Sequence, residues 1–236
     1  MKKNCFLLLG LLWTIPLWGQ QMNGMELLDK SIAYHDAQAL WGQQQLIWPL
    51  EEKRPDGQIR ETLIQVDPQL GRFVLEQERG KDQLWRQVQG DSCQHQLNGR
   101  SDFTFDQRKK HRLTCDYTKV IRAYYLYLWG LPMKLKDAGT KIAQVAHAEE
   151  FQGQPVWTLK VTYEETVGKD IWYFYFDRQN YALRGYRFYH DEASNDGEYI
   201  TLEQEVLMDG IRYPQIRKWY TNKENKYLGE DRLISK

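Results

Sequence analysis

The sequence predicts a mainly β protein with two or three helices (an α+β fold), built on antiparallel strands. Two observations support this prediction. Four extended, aromatic-rich runs separated by three polar turns fill residues 168–220, which is the pattern of an antiparallel meander. Between residues 43 and 97, turn signals recur about every 8 to 12 residues, which favours short antiparallel strands over βαβ units. Together with the shorter runs elsewhere, about eleven or twelve strands are expected.

The N-terminus has the features of a secretory signal peptide. Lys2 and Lys3 are basic, residues 5–18 are an apolar run, and Gly19 is a small residue at the expected cleavage point. The apolar run of about 14 residues is shorter than the roughly 20 that span a bilayer, so an uncleaved anchor is the less favoured alternative. Cys5 precedes this run and is not placed for lipidation. We expect 1–19 to be removed and 20–236 to form one periplasmic domain without a transmembrane segment.

The charge balance and the cysteine content of the chain disfavour some classes of function. The chain has 32 basic and 32 acidic residues, and loss of Lys2 and Lys3 would leave a net charge of about −2, which disfavours nucleic acid as a partner. The two cysteines that remain, Cys93 and Cys115, favour a disulfide in an oxidising compartment. Two buried thiols are the alternative, and a metal site lacks a third soft ligand nearby.

Two helices are predicted from apolar residues at helical spacing, one over 25–40 and one over 116–129. His35 and Asp36 adjoin in the first helix, but neighbouring residues point to different faces, so a polar-face or buried, hydrogen-bonded histidine is favoured over a catalytic pair. The second helix is apolar around most of its circumference and must be covered on several sides, for which the sheet is the available cover.

Alternating polar and apolar residues predict the strands, with Trp172, Phe174 and Phe176 on one face of the strand over 171–176 and Ile171, Tyr173 and Tyr175 on the other. We favour the Trp172 face as the inward one. A bulge near Asp177 would reverse this assignment. Strands are predicted from residue 45, over 59–66, 72–77 and 83–89, around Cys93, over 142–149 and 156–165, in the four runs of 168–220, and over 226–234.

Two turns and several blocks carry a resemblance to a known group of proteins. The strand ending at Asp177, the turn 178–180 and the return from Tyr181 resemble the lipoprotein-localisation (LolA/LolB-like) superfamily, as does 210–214 before the strand 215–220. Within that superfamily the chain resembles an uncharacterised family of exported proteins from Bacteroidetes-type bacteria. The blocks that carry this second likeness are YLWGLPMKLKDAG (127–139), VGKDIWYFYFD (167–177), YALRGYRFYHDE (181–192), DGEYITLE (196–203) and RKWYTNKENKYLG (217–229).

The resemblance implies a half-open antiparallel β-barrel with helices covering its concave side. Such a sheet leaves an apolar concave face that its own side chains do not fill, so a helix or a ligand must occupy it. The expected function is a periplasmic, non-enzymatic carrier or binding protein for a hydrophobic ligand, such as a lipid or the acyl chain of an envelope lipoprotein. Core packing is the alternative role for its candidate cavity-lining residues, which are Tyr124, Leu128, Trp129, Trp172, Phe174 and Phe176.

Two other functions stay open at this point. An outward aromatic face of Tyr173, Tyr175 and Tyr186 would suit an envelope protein-protein interaction module. A hydrolase-type enzyme would need titratable side chains converging inside the cavity. None of the common catalytic motifs occurs, including a nucleophile elbow, a zinc-protease helix and a phosphate-binding loop, so no catalytic residue, cofactor or metal is assigned.

Overall fold

The computed structural model describes residues 21–235, so the predicted signal peptide lies outside the described residues. The described chain forms one 14-stranded antiparallel sheet, three α-helices and two 3-10 turns. The helices are α1 (Gly24–His35), α2 (Phe105–His111) and α3 (Cys115–Trp129), and the 3-10 turns are Met133–Lys136 and Glu192–Ser194. The strands are β1 (Gln21–Asn23), β2 (Leu46–Lys53), β3 (Ile59–Asp67), β4 (Arg72–Arg79), β5 (Asp82–Gln89), β6 (Ser92–Leu97), β7 (Thr140–Ile142), β8 (Val145–Phe151), β9 (Gln154–Tyr163), β10 (Ile171–Asp177), β11 (Leu183–Tyr189), β12 (Glu198–Met208), β13 (Ile211–Thr221) and β14 (Tyr227–Leu233).

The sheet is open, with β1 and β6 as its two edges. Its order is β1-β8-β9-β10-β11-β12-β13-β14-β2-β3-β4-β5-β6, and β7 pairs with β9 beside this path. The predicted fold class is confirmed, with the meander of 168–220 forming β10 to β13. The structure has more strands than predicted because β1 and β7 have three residues each, too few for an alternating pattern to be recognised. The pairing of β14 with β2 places the last strand of the chain beside a strand from its first quarter, in the middle of the sheet.

Helix α1 begins and ends at side-chain caps. The Asn23 side chain accepts hydrogen bonds from the backbone N–H groups of Met25 and Glu26, which satisfies two of the free donors at the helix start. The helix ends at His35, earlier than predicted, because the carboxylate of Asp36 accepts from the N–H groups of Leu40 and Trp41. These bonds hold the following residues in a turn instead of a further helical turn.

Helix α3 lies across the concave side of the sheet and is attached at both ends. Cys115 at its first turn forms a disulfide with Cys93 of β6, with Cα atoms 5.4 Å apart, which confirms the predicted pairing. Trp129 at its last turn is fully buried. The expectation that the helix is covered on several sides is only partly met, because Val120 and Tyr124 on one edge are 62% and 46% exposed.

The main core lies between the concave face of the sheet and helices α1 and α3. Leu27 and Leu28 of α1 and Leu128 of α3 belong to it, together with Phe174 and Phe176 of β10. A smaller cluster on the convex face contains Phe151, Val156, Tyr175 and Tyr199. Among the described residues, no helix has the length and the apolar run that crossing a membrane requires.

The prediction that Tyr186 lies on the convex face is wrong. Tyr186 pairs with Phe174 across β10 and β11, and directly paired residues share a face of the sheet. Its side chain is fully buried in the concave core. A register shift lies between Tyr175 and Phe176, close to Asp177, where a bulge was expected to reverse the assignment of faces. Trp172, Phe174 and Phe176 nevertheless keep to the face that α3 covers.

Candidate functional site

A cavity of about 700 Å³ lies between helix α3 and the concave face of the sheet. We call it the concave cavity. Its volume lies in the range of roughly 300 to 1,000 Å³ typical of small-molecule sites. One part of its lining is apolar and aromatic, and includes Leu75, Ile121, Leu128, Phe188, Leu228 and Trp219. The other part is charged, and includes Lys53, Arg54, Arg60, Arg79, Glu52, Glu198 and Asp231.

Three of the six candidate residues line the concave cavity. Tyr124 lies at its mouth and stacks on Trp219 with ring centroids 6.4 Å apart. Leu128 is buried at the inner end of the α3 face. Trp172 closes one side, edge-on to Tyr127 at 5.4 Å between centroids. The structure therefore brings one strand residue and two helix residues together at a common hollow.

The other three candidate residues do not line the cavity. Trp129, Phe174 and Phe176 are fully buried in packed core. Trp129 stacks on Trp48 at 6.3 Å, and the guanidinium of Arg217 lies 3.5 Å from its ring centroid. The C-terminal end of α3 fills this part of the concave face, and the concave cavity lies nearer the middle and start of the helix. Whether any of the six contacts a ligand remains a prediction.

A row of four ionisable residues crosses the concave face beside the cavity. Strand register places Arg217 of β13 opposite Asp231 of β14, Asp231 opposite Glu52 of β2, and Glu52 opposite Arg60 of β3. Paired residues share a face, so two carboxylates lie side by side with an arginine at each end. The concave face is thus amphipathic here, whereas an apolar face was expected.

Glu52 is the most highly connected member of this row. Its carboxylate accepts two hydrogen bonds from Arg60, at 2.8 and 3.1 Å, and one from the Tyr125 hydroxyl of α3 at 2.7 Å. Thr62 and Gln77 also donate to it. Burial alone would raise the pKa of Glu52, but Arg60 and these hydrogen bonds hold that pKa below its usual value. The Glu52 carboxylate therefore stays ionised and fastens α3 to β2 and β3.

Asp231 and Arg217 have fewer partners. Burial, and next the neighbouring Glu52 carboxylate, raise the pKa of Asp231 to about 6. The indole N–H of Trp219 donates to Asp231 at 3.2 Å. Arg217 is fully buried, which lowers the pKa of its guanidinium, and it donates to the backbone oxygen of Leu128 at 3.0 Å. The hydrogen bond from Arg217 fixes the last turn of α3 to the sheet.

A second hollow of about 490 Å³ lies on the other side of α3. Ala123 and Leu126 of the helix face it, and Val167 lies at its opening. Tyr127 and Trp172 belong to both hollows, and Tyr127 hydrogen-bonds the hydroxyl of Tyr163. The Tyr127–Trp172 contact is therefore the partition between the two spaces that flank the helix.

Both ring nitrogens of His35 are hydrogen-bonded to backbone groups. Its Nδ1–H donates to the backbone oxygen of Arg212 at 2.7 Å, and its Nε2 accepts from the N–H of Leu183 at 2.9 Å. Burial lowers its pKa to about 4, so the ring is neutral and satisfied, as predicted. Within residues 21–235, no group of three His, Cys, Asp or Glu side chains is arranged to hold a metal ion.

Sequence reasoning missed the charged row, although a partial signal exists. Residues 46, 48, 50 and 52 of β2 face inward, and Glu52 is the polar residue at the end of this series. In β4, the inward series of Phe73 and Leu75 continues with the polar residues Gln77 and Arg79. Polar residues at inward positions at one end of successive strands indicate a polar patch inside the sheet. Only the register shows that they meet Asp231.

An open antiparallel sheet that wraps a helix, with a cavity between them, defines a half-barrel class of protein. The chain belongs to a Family of unknown function (DUF6503), whose model matches residues 2–236. No curated protein sequence matches it.

Solved structures similar to the chain include proteins of the LolA superfamily, the group that the sequence resembles. An outer membrane lipoprotein-sorting protein domain from Vibrio parahaemolyticus is 10% identical with a TM-score of 0.49, covering 90% of each chain. A LolA superfamily protein from Nitrosomonas europaea is 10% identical with a TM-score of 0.49, covering 91% of this chain and 92% of its own. A DUF1329 family protein from Desulfovibrio piger is 8% identical with a TM-score of 0.45, covering 90% and 92%.

Proposed function

We propose that this protein is a periplasmic, non-enzymatic binding protein or carrier whose concave cavity holds a hydrophobic chain, such as that of a lipid or a lipoprotein. The single observation that supports this most is the unfilled space of about 700 Å³ beneath α3. Each methylene group that moves from water into such a lining contributes about 0.8 kcal/mol. Export to the periplasm rests on the signal peptide predicted in residues 1–19.

Access to the cavity is proposed to depend on side chains at its mouth. Helix α3 is held at its start by the Cys93–Cys115 disulfide, in its middle by the Tyr125–Glu52 hydrogen bond and at its end by Trp129. A whole-helix displacement would break the Tyr125–Glu52 hydrogen bond, expose Trp129 and work against the covalent link at the start of the helix. Rotation of the half-exposed Tyr124 breaks only its ring contacts with Trp219 and Tyr125, so Tyr124 is the proposed gate.

Occupancy is the direct test of this function. The mature protein is purified without detergent and examined by native mass spectrometry, and the naphthylamine dye N-phenyl-1-naphthylamine is titrated into a delipidated sample. The proposal expects a co-purifying apolar mass or saturable dye fluorescence that decanoate displaces. Protein that is ligand-free and does not bind the dye would contradict it.

A matched pair of variants assigns the binding to the concave cavity. Ile121→Trp fills the cavity from the α3 side and should abolish dye binding. Leu207→Trp makes a similar change at a 63% exposed position of β12 and should leave binding intact. Equal dye binding by both variants would place the dye site elsewhere.

The two alternative functions have weaker support. The convex aromatic residues mostly pack on one another: Tyr175 stacks on Phe151 with centroids 4.0 Å apart and is buried. A shallow groove of about 1020 Å³ beside Phe151 and Tyr199 would be the surface available to a protein partner. For an enzyme, the most buried carboxylate of the cavity, Glu52, is already engaged by five hydrogen bonds, which suits a structural role.

A further inference from the structure

One end of the concave cavity carries a group of cations that we call the basic end: Lys53 at the end of β2, Arg54 directly after it, Arg60 of β3 and Arg79 of β4. Arg60 is paired with Glu52. Within the described chain, no carboxylate oxygen lies within the 4.0 Å ion-pair distance of Lys53, Arg54 or Arg79. Three of the four cations at the basic end are therefore uncompensated.

Arg79 is the uncompensated cation that the fold positions most closely. It is half-buried at the inward end of β4, and its Nε–H donates to the side-chain oxygen of Gln77. Burial, and next the charge of Arg60, lower the pKa of Arg79. The neighbouring Arg86 is fully buried, and its guanidinium donates hydrogen bonds to the backbone oxygens of His111 and Arg112 between α2 and α3. A half-buried cation beside other cations is destabilising unless an anion joins it.

The acidic groups of the cavity do not supply that anion. The carboxylate of Glu52 is directed to Arg60, Thr62 and Tyr125. Asp231 accepts from Trp219 and pairs in register with Arg217. Glu198 lies on β12, on the side of the cavity formed by the C-terminal strands. The charge of Glu52 counteracts part of the lowering of the Arg79 pKa, but no carboxylate of the described residues forms an ion pair with Arg79.

We infer that the ligand is an amphiphile with one anionic head group, a carboxylate or a phosphate. The head group binds Arg79 at the basic end, with Lys53 and Arg54 at the rim, and the chain lies against Leu75, Ile121 and Leu128. Arg79 can donate two parallel hydrogen bonds to such a group. This inference rests on the proposed function, since it names the class of ligand that the concave cavity takes.

Ligands with one chain and different heads test the inference. Decanoate, decyl phosphate, decanol and decyltrimethylammonium are titrated into the delipidated protein by isothermal calorimetry, with inorganic phosphate as the chain-free anion. Decanoate and decyl phosphate should bind about tenfold or more tightly than decanol, the effect of a hydrogen bond to a charged group. Raising sodium chloride from about 0.05 to 0.5 M should weaken decanoate binding and leave decanol unchanged, because salt screens only the charged contact.

Variants locate the head group. Arg79→Gln should remove the preference for decanoate over decanol, and Arg79→Lys should keep part of it, since the charge stays while the paired donors are lost. Arg100→Gln is the control, because Arg100 is exposed and paired with Asp102 away from the cavity. If Arg79→Gln unfolds, the salt dependence of the wild-type protein decides the question.

Each contrary outcome is distinct. Equal binding of decanol and decanoate, or tighter binding of decyltrimethylammonium, overturns the anionic head group and leaves the proposed function standing. Inorganic phosphate binding as tightly as decyl phosphate shows a free-anion site and overturns the amphiphile. Absence of binding by every decyl ligand overturns both the inference and the proposed function.

Discussion

Replacing Glu52 by glutamine tests whether the charged network beneath α3 is stabilising. Glu52→Gln keeps the size of the side chain but removes the charge that Arg60 faces across the β2–β3 pair. It also introduces an N–H donor where Thr62, Gln77 and Tyr125 all donate. At least one buried donor is then left without an acceptor.

The expected loss can be worked from these contacts. Breaking a fully buried ion pair from one side costs about 3 to 5 kcal/mol. The Arg60 side chain is 19% exposed, so water solvates part of its guanidinium when the carboxylate charge is removed. We therefore expect Glu52→Gln to lower the free energy of unfolding by about 3 kcal/mol, the lower end of that range.

Urea unfolding at pH 7.5, followed by tryptophan fluorescence, measures this loss. The control is Glu61→Gln, an exposed position of β3, which should change the stability by about 0.5 kcal/mol or less. A Glu52→Gln variant within about 1 kcal/mol of the wild type would refute the reasoning, since this is no more than a typical single substitution costs.

The pH dependence provides an independent check on the same residue. The pKa of Glu52 in the folded state lies below its ordinary value of 4.5. A depressed carboxyl pKa contributes stability above the unfolded-state value and loses it as the pH falls through the folded-state value. The difference between wild type and Glu52→Gln should therefore be constant above about pH 7, where Asp231 with its pKa of about 6 is ionised in the wild type, and should shrink in buffers more acidic than about pH 4 as Glu52 itself is protonated.

Three further predictions concern stability. Asp231→Asn should raise the free energy of unfolding at pH 8 by about 1 to 3 kcal/mol, because the pKa of Asp231 in the folded state is raised to about 6. Urea titrations should show that this gain disappears below about pH 4. A lower free energy of unfolding at pH 8 would contradict the prediction. Replacing Cys93 and Cys115 by serine should cost about 3 kcal/mol for opening a loop of 22 residues, and an unchanged urea midpoint would count against this. Gly185→Ala should destabilise by about 1 to 3 kcal/mol through overpacking, because its Cβ would lie 2.5 Å from the ring of Phe151 and 2.6 Å from the backbone oxygen of Ile200; an unchanged thermal midpoint would contradict this.

The sequence predicted most of the local elements, because their signals are local, but it did not predict the short helix α2 or the three-residue strands β1 and β7. Alternation over residues 168–220 predicted strands β10 to β13, and helical spacing predicted α3 from 116, one residue after its observed start at Cys115. The end of α1 was misplaced, because the Asp36 carboxylate caps two backbone N–H groups and outweighs the apolar spacing that continues beyond it.

The candidate site was only partly predictable, because it depends on how distant strands align. Alternation shows that Trp172, Phe174 and Phe176 share a face, but not how far along that face α3 extends. The Asp231–Glu52 contact requires β14 to pair with β2, and neither strand carries a local signal for a partner at the other end of the chain. Tyr186 was misplaced for the same reason, since its face follows from its register with Phe174.

The central claim, that the concave cavity holds an apolar chain, is tested most directly by a crystal structure with decanoic acid brominated at its terminal carbon. Anomalous scattering locates the bromine without reference to any assumed pose. The account predicts one bromine beneath α3, among the side chains of Ile121, Leu128 and Trp172. A bromine in the convex groove beside Phe151, or no bound bromine at saturating ligand, would contradict it.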